Sequence, residues 1–372
     1  MPDAKGASFL LDSPGPLVDA LRRQGWRVIG PKLGQGAIVY EEIESAADLP
    51  RGLTDEQEGG HYRLREGDPD RWFDYVVGPQ NWKKWLFPAR QKLWSAERSK
   101  DGFSVESHED EWPKTAIFGA RACEIAAIEV QDRVFDNGDF ADSGYTKRRA
   151  GMLIVAVQCA RSAATCFCAS MNTGPRAEAG FDVALTELET GGFLVECGSD
   201  AGAAVLDGLE LADASAAQQQ AGEAVSHKAA AEQTRTMPAN VESVLRDNLD
   251  HPRWEEVAER CLSCANCTLA CPTCFCSDVE EVNDLSGDHA ERWRVWDSCF
   301  SLDFSYIHGG AVRRSTLSRY RQWMTHKLSS WHDQFGTSGC VGCGRCIAWC
   351  PVGIDITEEA GAIAAEPLAQ EV

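Results

Sequence analysis

Residues 261–272 read CLSCANCTLACP, and residues 340–351 read CVGCGRCIAWCP. Both follow one spacing, C-x2-C-x2-C-x3-C-P, and together they hold eight of the sixteen cysteines in the chain. In each run three thiols fall on one tight loop and a fourth enters the helix that follows. A proline then turns the chain away, because it lacks the backbone donor a helix needs. The reversal of the loop calls for small residues, and Ala265, Gly342 and Gly344 stand there. Structural zinc sites of the ribbon type separate two C-x2-C pairs by about 15–20 residues. Here four thiols occupy one short run, and do so twice.

This is the spacing with which bacterial ferredoxins wrap cubane [4Fe-4S] clusters, the fourth cysteine of each run ligating the other cluster. The expected ligand sets are therefore Cys261, Cys264 and Cys267 with Cys350, and Cys340, Cys343 and Cys346 with Cys271. A long insertion, residues 273–339, separates the two runs.

The other cysteines are unevenly spread: none precedes Cys123, five lie between Cys123 and Cys197, and eleven lie from Cys261 onward. TAIFG (115–119) and GMLIVAV (151–157) are short apolar runs of the kind that form strands covered on both faces, and CEIAAIEVQDRVF between them has helical spacing. A β-α-β unit is expected. Ligands gather at the carboxyl ends of strands in such sheets, and Cys123 and Cys159 fall just past these two. Cys166 and Cys168, in TCFC at 165–168, leave the second strand. These four thiols are the expected ligands of a third [4Fe-4S] cluster, with Arg121 and Glu124 beside it to tune its potential.

TCFC recurs at 273–276. Cys274 and Cys276, with Cys299 in WDSCF, are expected to pack beside the ferredoxin-type clusters and to offer sulfur-directed hydrogen bonds. The alternative is an additional site with three cysteines and a different fourth ligand. Cys197 reads as a core thiol.

The expected architecture is an α/β (α+β) domain over 1–200, an Ala/Gln-rich helical connection over 201–250 with little chemistry, and a helix-rich, ferredoxin-like dicluster domain over 251–372. SPGPLVDALRRQG should form a helix closed by Gly25, followed by strands WRVIG and AIVYEEI. GPKLGQG between them fits a hairpin loop rather than the GxGxxG of a dinucleotide site. In the insertion, RYRQWMTHKLSSW puts Tyr320, Trp323, Met324, Leu328 and Trp331 on one helical face, expected to be core, and Arg319, Arg321 and Lys327 on a solvated face. His308, His326 and His332 are expected at the surface or in packing roles, and no catalytic set is expected from this chain alone.

Lys and Arg number 36 against 57 Asp and Glu, a net charge of −21 spread along 372 residues. That argues against nucleic acid and anionic membranes as partners. No apolar run approaches the roughly 18 residues that span a bilayer, and the N-terminus lacks the pattern of a signal peptide. A cytoplasmic location is expected, where thiols stay reduced and metal binding is the better reading of many cysteines.

The segments GPQNWKKWLFPARQKLW, FGARACEIAAIEVQDRVF, QCARSAATCFCASMNTGPRAEAGFD, CLSCANCTLACPTCFCSDVEEV, RWRVWDSCFSLDFSYIHGG and CVGCGRCIAWCPVGIDI resemble the beta subunit of the cytosolic NAD(P)-linked [NiFe] hydrogenases, also called sulfhydrogenases. The A subunit of anaerobic sulfite reductase resembles the same pattern. The resemblance implies an iron-sulfur subunit with three [4Fe-4S] clusters, the third on Cys123, Cys159, Cys166 and Cys168. It implies electron transfer between a flavin and NAD(P)-binding subunit and the small and large subunits of a [NiFe] hydrogenase, or else the equivalent task in a sulfite- or sulfur-reducing complex. A non-redox, zinc-scaffolded binding module is the reading from another class.

Overall fold

A computed structural model describes residues 7–108 and 111–368. Along the chain run β1 (Ser8–Leu11), β2 (Arg27–Gly34), β3 (Ala37–Glu42), β4 (Leu53–Glu58), β5 (His61–Glu66), β6 (Arg90–Ser99), β7 (Gly102–Ser107) and β8 (Thr115–Ala120). They are followed by β9 (Met152–Val157), β10 (Val183–Glu187), β11 (Phe193–Cys197), β12 (Ala212–Asp213), β13 (Ser277–Asn283) and β14 (His289–Trp296).

Eight strands form the main sheet in the order β12-β1-β11-β10-β9-β8-β2-β3. Its middle, β10-β9-β8-β2, is parallel, and antiparallel partners extend it on both sides. Every residue of β8, β9 and β10 is buried. That is why their sequences are continuous apolar runs rather than alternating ones. The helix Ala122–Phe135 links β8 towards β9 and packs on it, so the expected β-α-β unit is present. The helix Gly15–Arg23 ends before Gly25, whose φ of +79° suits glycine. Gly30 and Gly34 lie within β2, and the turn to β3 is Gln35–Gly36, an ordinary hairpin.

A second, antiparallel sheet runs β13-β14-β6-β7. It pairs residues 277–296 of the insertion with residues 90–107, so the insertion supplies strands as well as helices and is tied to the N-terminal part. The apolar stripe of the insertion is core as expected: Tyr320, Trp323, Met324, Leu328 and Trp331 are all buried. Lys327 is not on a solvated face; only 3% of it is exposed. The helix Thr316–Thr325 passes into a π-helical turn, His326–Ser330, before Trp331–Phe335 continues it. Lys327 stands four residues after Trp323 and three after Met324, so ordinary helical spacing already places it on the buried face.

Residues 200–240 form the helices Asp200–Leu206 and Ala216–Ala231, the latter capped by Ser215 and packed against β10 and β11.

Candidate metal centres

The ferredoxin-type loops reverse as their sequences require. Ala265, Gly342 and Gly344 all adopt left-handed backbone, with φ of +68°, +62° and +72°, and short helices Asn266–Leu269 and Arg345–Ala348 follow. The second loop tolerates only glycine at two of these positions for a further reason. A Cβ on Gly342 would stand 2.6 Å from the Cys168 backbone, and one on Gly344 would stand 2.2 Å from the Thr165 carbonyl oxygen. The loop therefore lies directly on the 165–168 segment, and the Phe167 amide donates to Gly342 O at 2.9 Å.

Cys261, Cys264, Cys267 and Cys350, together with Cys346 of the second run, line one small cavity walled by Phe300, Tyr320, Trp323, Ile354 and Ile356. The two halves of this expected set are thus brought together across the long insertion. Among the described residues, the Tyr320 hydroxyl and the Trp323 indole N–H are buried without a hydrogen-bond partner. Buried donors normally find an acceptor, and the thiolate and sulfide sulfurs of a cubane would supply one here. The residues therefore fit the cluster. The rim reaches the surface: Cys264 is exposed and Leu262 is 64% exposed.

Cys340, Cys343 and Cys346 each lie within electrostatic range of Cys271, so the second expected set also converges. Burial raises the Cys346 thiol well above its ordinary range and Cys340 to about 12. Such thiols ionise when a metal's charge offsets the loss of solvent. Among the described residues, no three His, Cys, Asp or Glu side chains close on a point as a single metal ion needs.

Cys123 and Cys159 sit just past the carboxyl ends of β8 and β9, and Cys166 and Cys168 face them. Cys168 acts on Cys123, and Cys159 acts on both Cys166 and Cys168. Burial again dominates, raising Cys168 to about 12. Cys343 of the second loop acts on Cys123, Cys166 and Cys168, which makes the second and N-terminal sets neighbours. Beneath them is a buried charge network. Arg345 donates to Glu124 at 2.5 Å, Tyr40 donates its hydroxyl to the same carboxylate at 2.6 Å, and the Arg121 guanidinium donates to the carbonyls of Phe73 and Tyr75.

Arg345 was not among the expected tuning residues. It sits inside the second cysteine run, but its partner is 221 residues away. The Ala/Gln-rich connection also carries chemistry, contrary to expectation: Gln233 donates to Cys168 Sγ at 3.2 Å and accepts from the Ala169 amide at 3.0 Å. Nothing local in that segment marks one glutamine among several. Cys197 is a buried core thiol of β11, and His326 and His332 pair with Gln334 and Glu242. Cys274, Cys276 and Cys299 come together beside Cys271.

The fold and these thiol sets define the class: an iron-sulfur protein carrying [4Fe-4S] chemistry. A family model described as a 4Fe-4S dicluster domain matches residues 260–354. The beta subunit of sulfhydrogenase 2 from Pyrococcus furiosus is 32% identical over 246 residues, covering 65% of this chain and 72% of that protein. No solved structure matches. The chain belongs to the sulfhydrogenase beta-subunit family. Among the described residues no helix is long and apolar enough to cross a membrane.

Proposed function

We propose that this chain is the electron-relay subunit of a soluble [NiFe] hydrogenase, with three [4Fe-4S] clusters on the three thiol sets and partners that bind flavin and NAD(P) on one side and hydrogen on the other. The observation that carries the reading is the contiguity of the sets. Cys346 and Cys350 of one run reach both ferredoxin-type sets, and Cys343 stands against the N-terminal set. When bound, the clusters supply reversible one-electron redox chemistry.

The side chains provide what such a relay needs. Phe300, Tyr320, Trp323, Ile354 and Ile356 keep water from the first set. Arg121, Arg345 and Glu124 hold fixed charge under the N-terminal set, where burial strengthens electrostatics. The exposed Leu262 and Cys264 bring the first set to the surface, where an electron can pass to a partner. A large negative net charge leaves docking to local apolar or basic patches of this kind.

Affinity purification through a tag on this chain from its native host tests the assignment. Co-elution of a nickel-containing subunit and a flavoprotein is expected. A siroheme protein in their place would move the chain to the sulfite-reducing complexes.

A further inference from the structure

The fold sets the two copies of Thr-Cys-Phe-Cys on opposite ends of the second ferredoxin-type loop. Thr165, fully buried, lies with its carbonyl beneath Gly344. Thr273, also fully buried, donates its hydroxyl to Gly339 O at 2.6 Å. In both copies the phenylalanine packs into a hydrophobic cluster. Phe167 is fully buried, and Phe275 meets the Trp331 ring edge-on at 5.4 Å. The thiols on either side of Phe167 meet Cys123 and Cys159.

Those on either side of Phe275 have an equivalent company. Cys274 lies beside Cys271, Cys276 lies beside Cys299, and Cys276 acts on Cys274. Two lysines, each only 3% exposed, close this group. Lys327 donates to Cys271 Sγ at 3.3 Å, to Thr273 Oγ1 at 3.1 Å and to Gly339 O at 3.0 Å. Lys83 donates to Cys274 O at 3.2 Å and lies 4.0 Å from the centre of the Trp296 ring. Among the described residues neither ammonium has a carboxylate partner, and each repels the other. Two like charges buried together are costly, and the single Cys271 thiolate that Lys327 holds offsets only part of that charge. An anionic group held by the neighbouring thiolates would offset both.

The geometry points to a further iron-sulfur cluster held by Cys274, Cys276 and Cys299, with Lys83 and Lys327 as its buried counter-cations. Cys271 stays with Cys340, Cys343 and Cys346, so the additional site has three thiolates. That complement suits a three-iron cluster, or a four-iron cluster whose last iron takes a ligand other than cysteine. The two TCFC segments are then two copies of one device, flanking a single loop. The inference rests on the reading of the chain as an iron-sulfur subunit and not on which partners it serves.

Iron and acid-labile sulfide, counted per anaerobically purified full-length chain, test it together with EPR of the oxidised and reduced protein. About fifteen or sixteen irons are expected, against about twelve for three cubanes alone. Cys276→Ser and Cys299→Ser should each lose the same three or so to four irons, the double variant no more, and the remaining EPR signals should persist. Cys197→Ser should lose none. A signal in the oxidised protein that both variants abolish would identify a three-iron cluster, and one seen only on reduction a four-iron cluster. If a variant does not fold, the wild-type count decides. About twelve irons of which Cys166→Ser removes four, zinc at this site, or unchanged iron in both folded variants overturns the inference. Cys166→Ser, run alongside, keeps the two readings separate, because unchanged iron there would remove the N-terminal cluster while leaving the Cys276 result intact.

Discussion

Cys166→Ser is expected to lower iron by about four per chain and to leave the ferredoxin-type pair in place. Cys166 is buried and its amide donates to Ala163 O at 2.9 Å, so serine, slightly smaller, fits the same backbone. What it removes is the soft thiolate that iron-sulfur chemistry prefers. The N-terminal set has no spare sulfur to substitute. The nearest thiol beyond its four members, Cys343, belongs to the adjoining set, and Gln233 already holds Cys168. Because these two sets adjoin, the variant should also narrow the EPR spectrum of the remaining clusters, which lose a paramagnetic neighbour. Metal analysis and EPR on the folded variant check both effects, and iron content equal to wild type would refute the assignment.

Glu124→Gln is expected to be the most destabilising single change among the charged residues. The Glu124 carboxylate is fully buried and accepts from Arg345, from the Tyr40 hydroxyl and from the Arg121 amide at 3.0 Å. Glutamine keeps the shape and still has an oxygen for Tyr40. It leaves the Arg345 guanidinium buried without its counter-charge, and breaking such a pair costs about 3–5 kcal/mol. The same change leaves an uncompensated cation beside Cys123 and Cys343, which favours the reduced, more negative state and raises the cluster potential. Anaerobic thermal unfolding should show the loss of stability, and an EPR-monitored redox titration should show the midpoint rising. Adding Arg345→Met should recover much of the stability, since replacing both partners of a buried pair is tolerated far better than removing one. A falling midpoint in Glu124→Gln would contradict this electrostatic account.

The sequence made legible whatever depends on local spacing. The twin cysteine runs, the apolar strands β8 and β9 and the thiols at their exits need only short-range pattern, and the aromatic stripe from Tyr320 to Trp331 survives the π-helical turn because its members are large and apolar. Lys327, four residues after Trp323 and three after Met324, falls within that same stripe on a 3.6-residue period, and its charge, which suggested a solvated face, instead meets Cys271. Arg345 and Glu124 are each unremarkable in sequence, and only the stacking of the second loop on the 165–168 segment makes them partners. The same stacking decides the meaning of the repeated TCFC. Read along the chain, the second copy merely trails a complete ligand set. In the fold, Thr165 and Thr273 grip the two ends of one loop, and each copy presents its thiols to a separate group of cysteines. Gln233 and Lys83 carry no sequence signal of their roles, since one lies among several glutamines and the other in a pair of lysines.

The most direct test of the relay is EPR of the anaerobically prepared, dithionite-reduced chain, quantified against iron and acid-labile sulfide in the same sample. At least three cubanes, about twelve irons or more per chain, should give a spectrum broadened by interaction between neighbouring clusters. A colourless, EPR-silent protein with zinc on its cysteines would contradict the account.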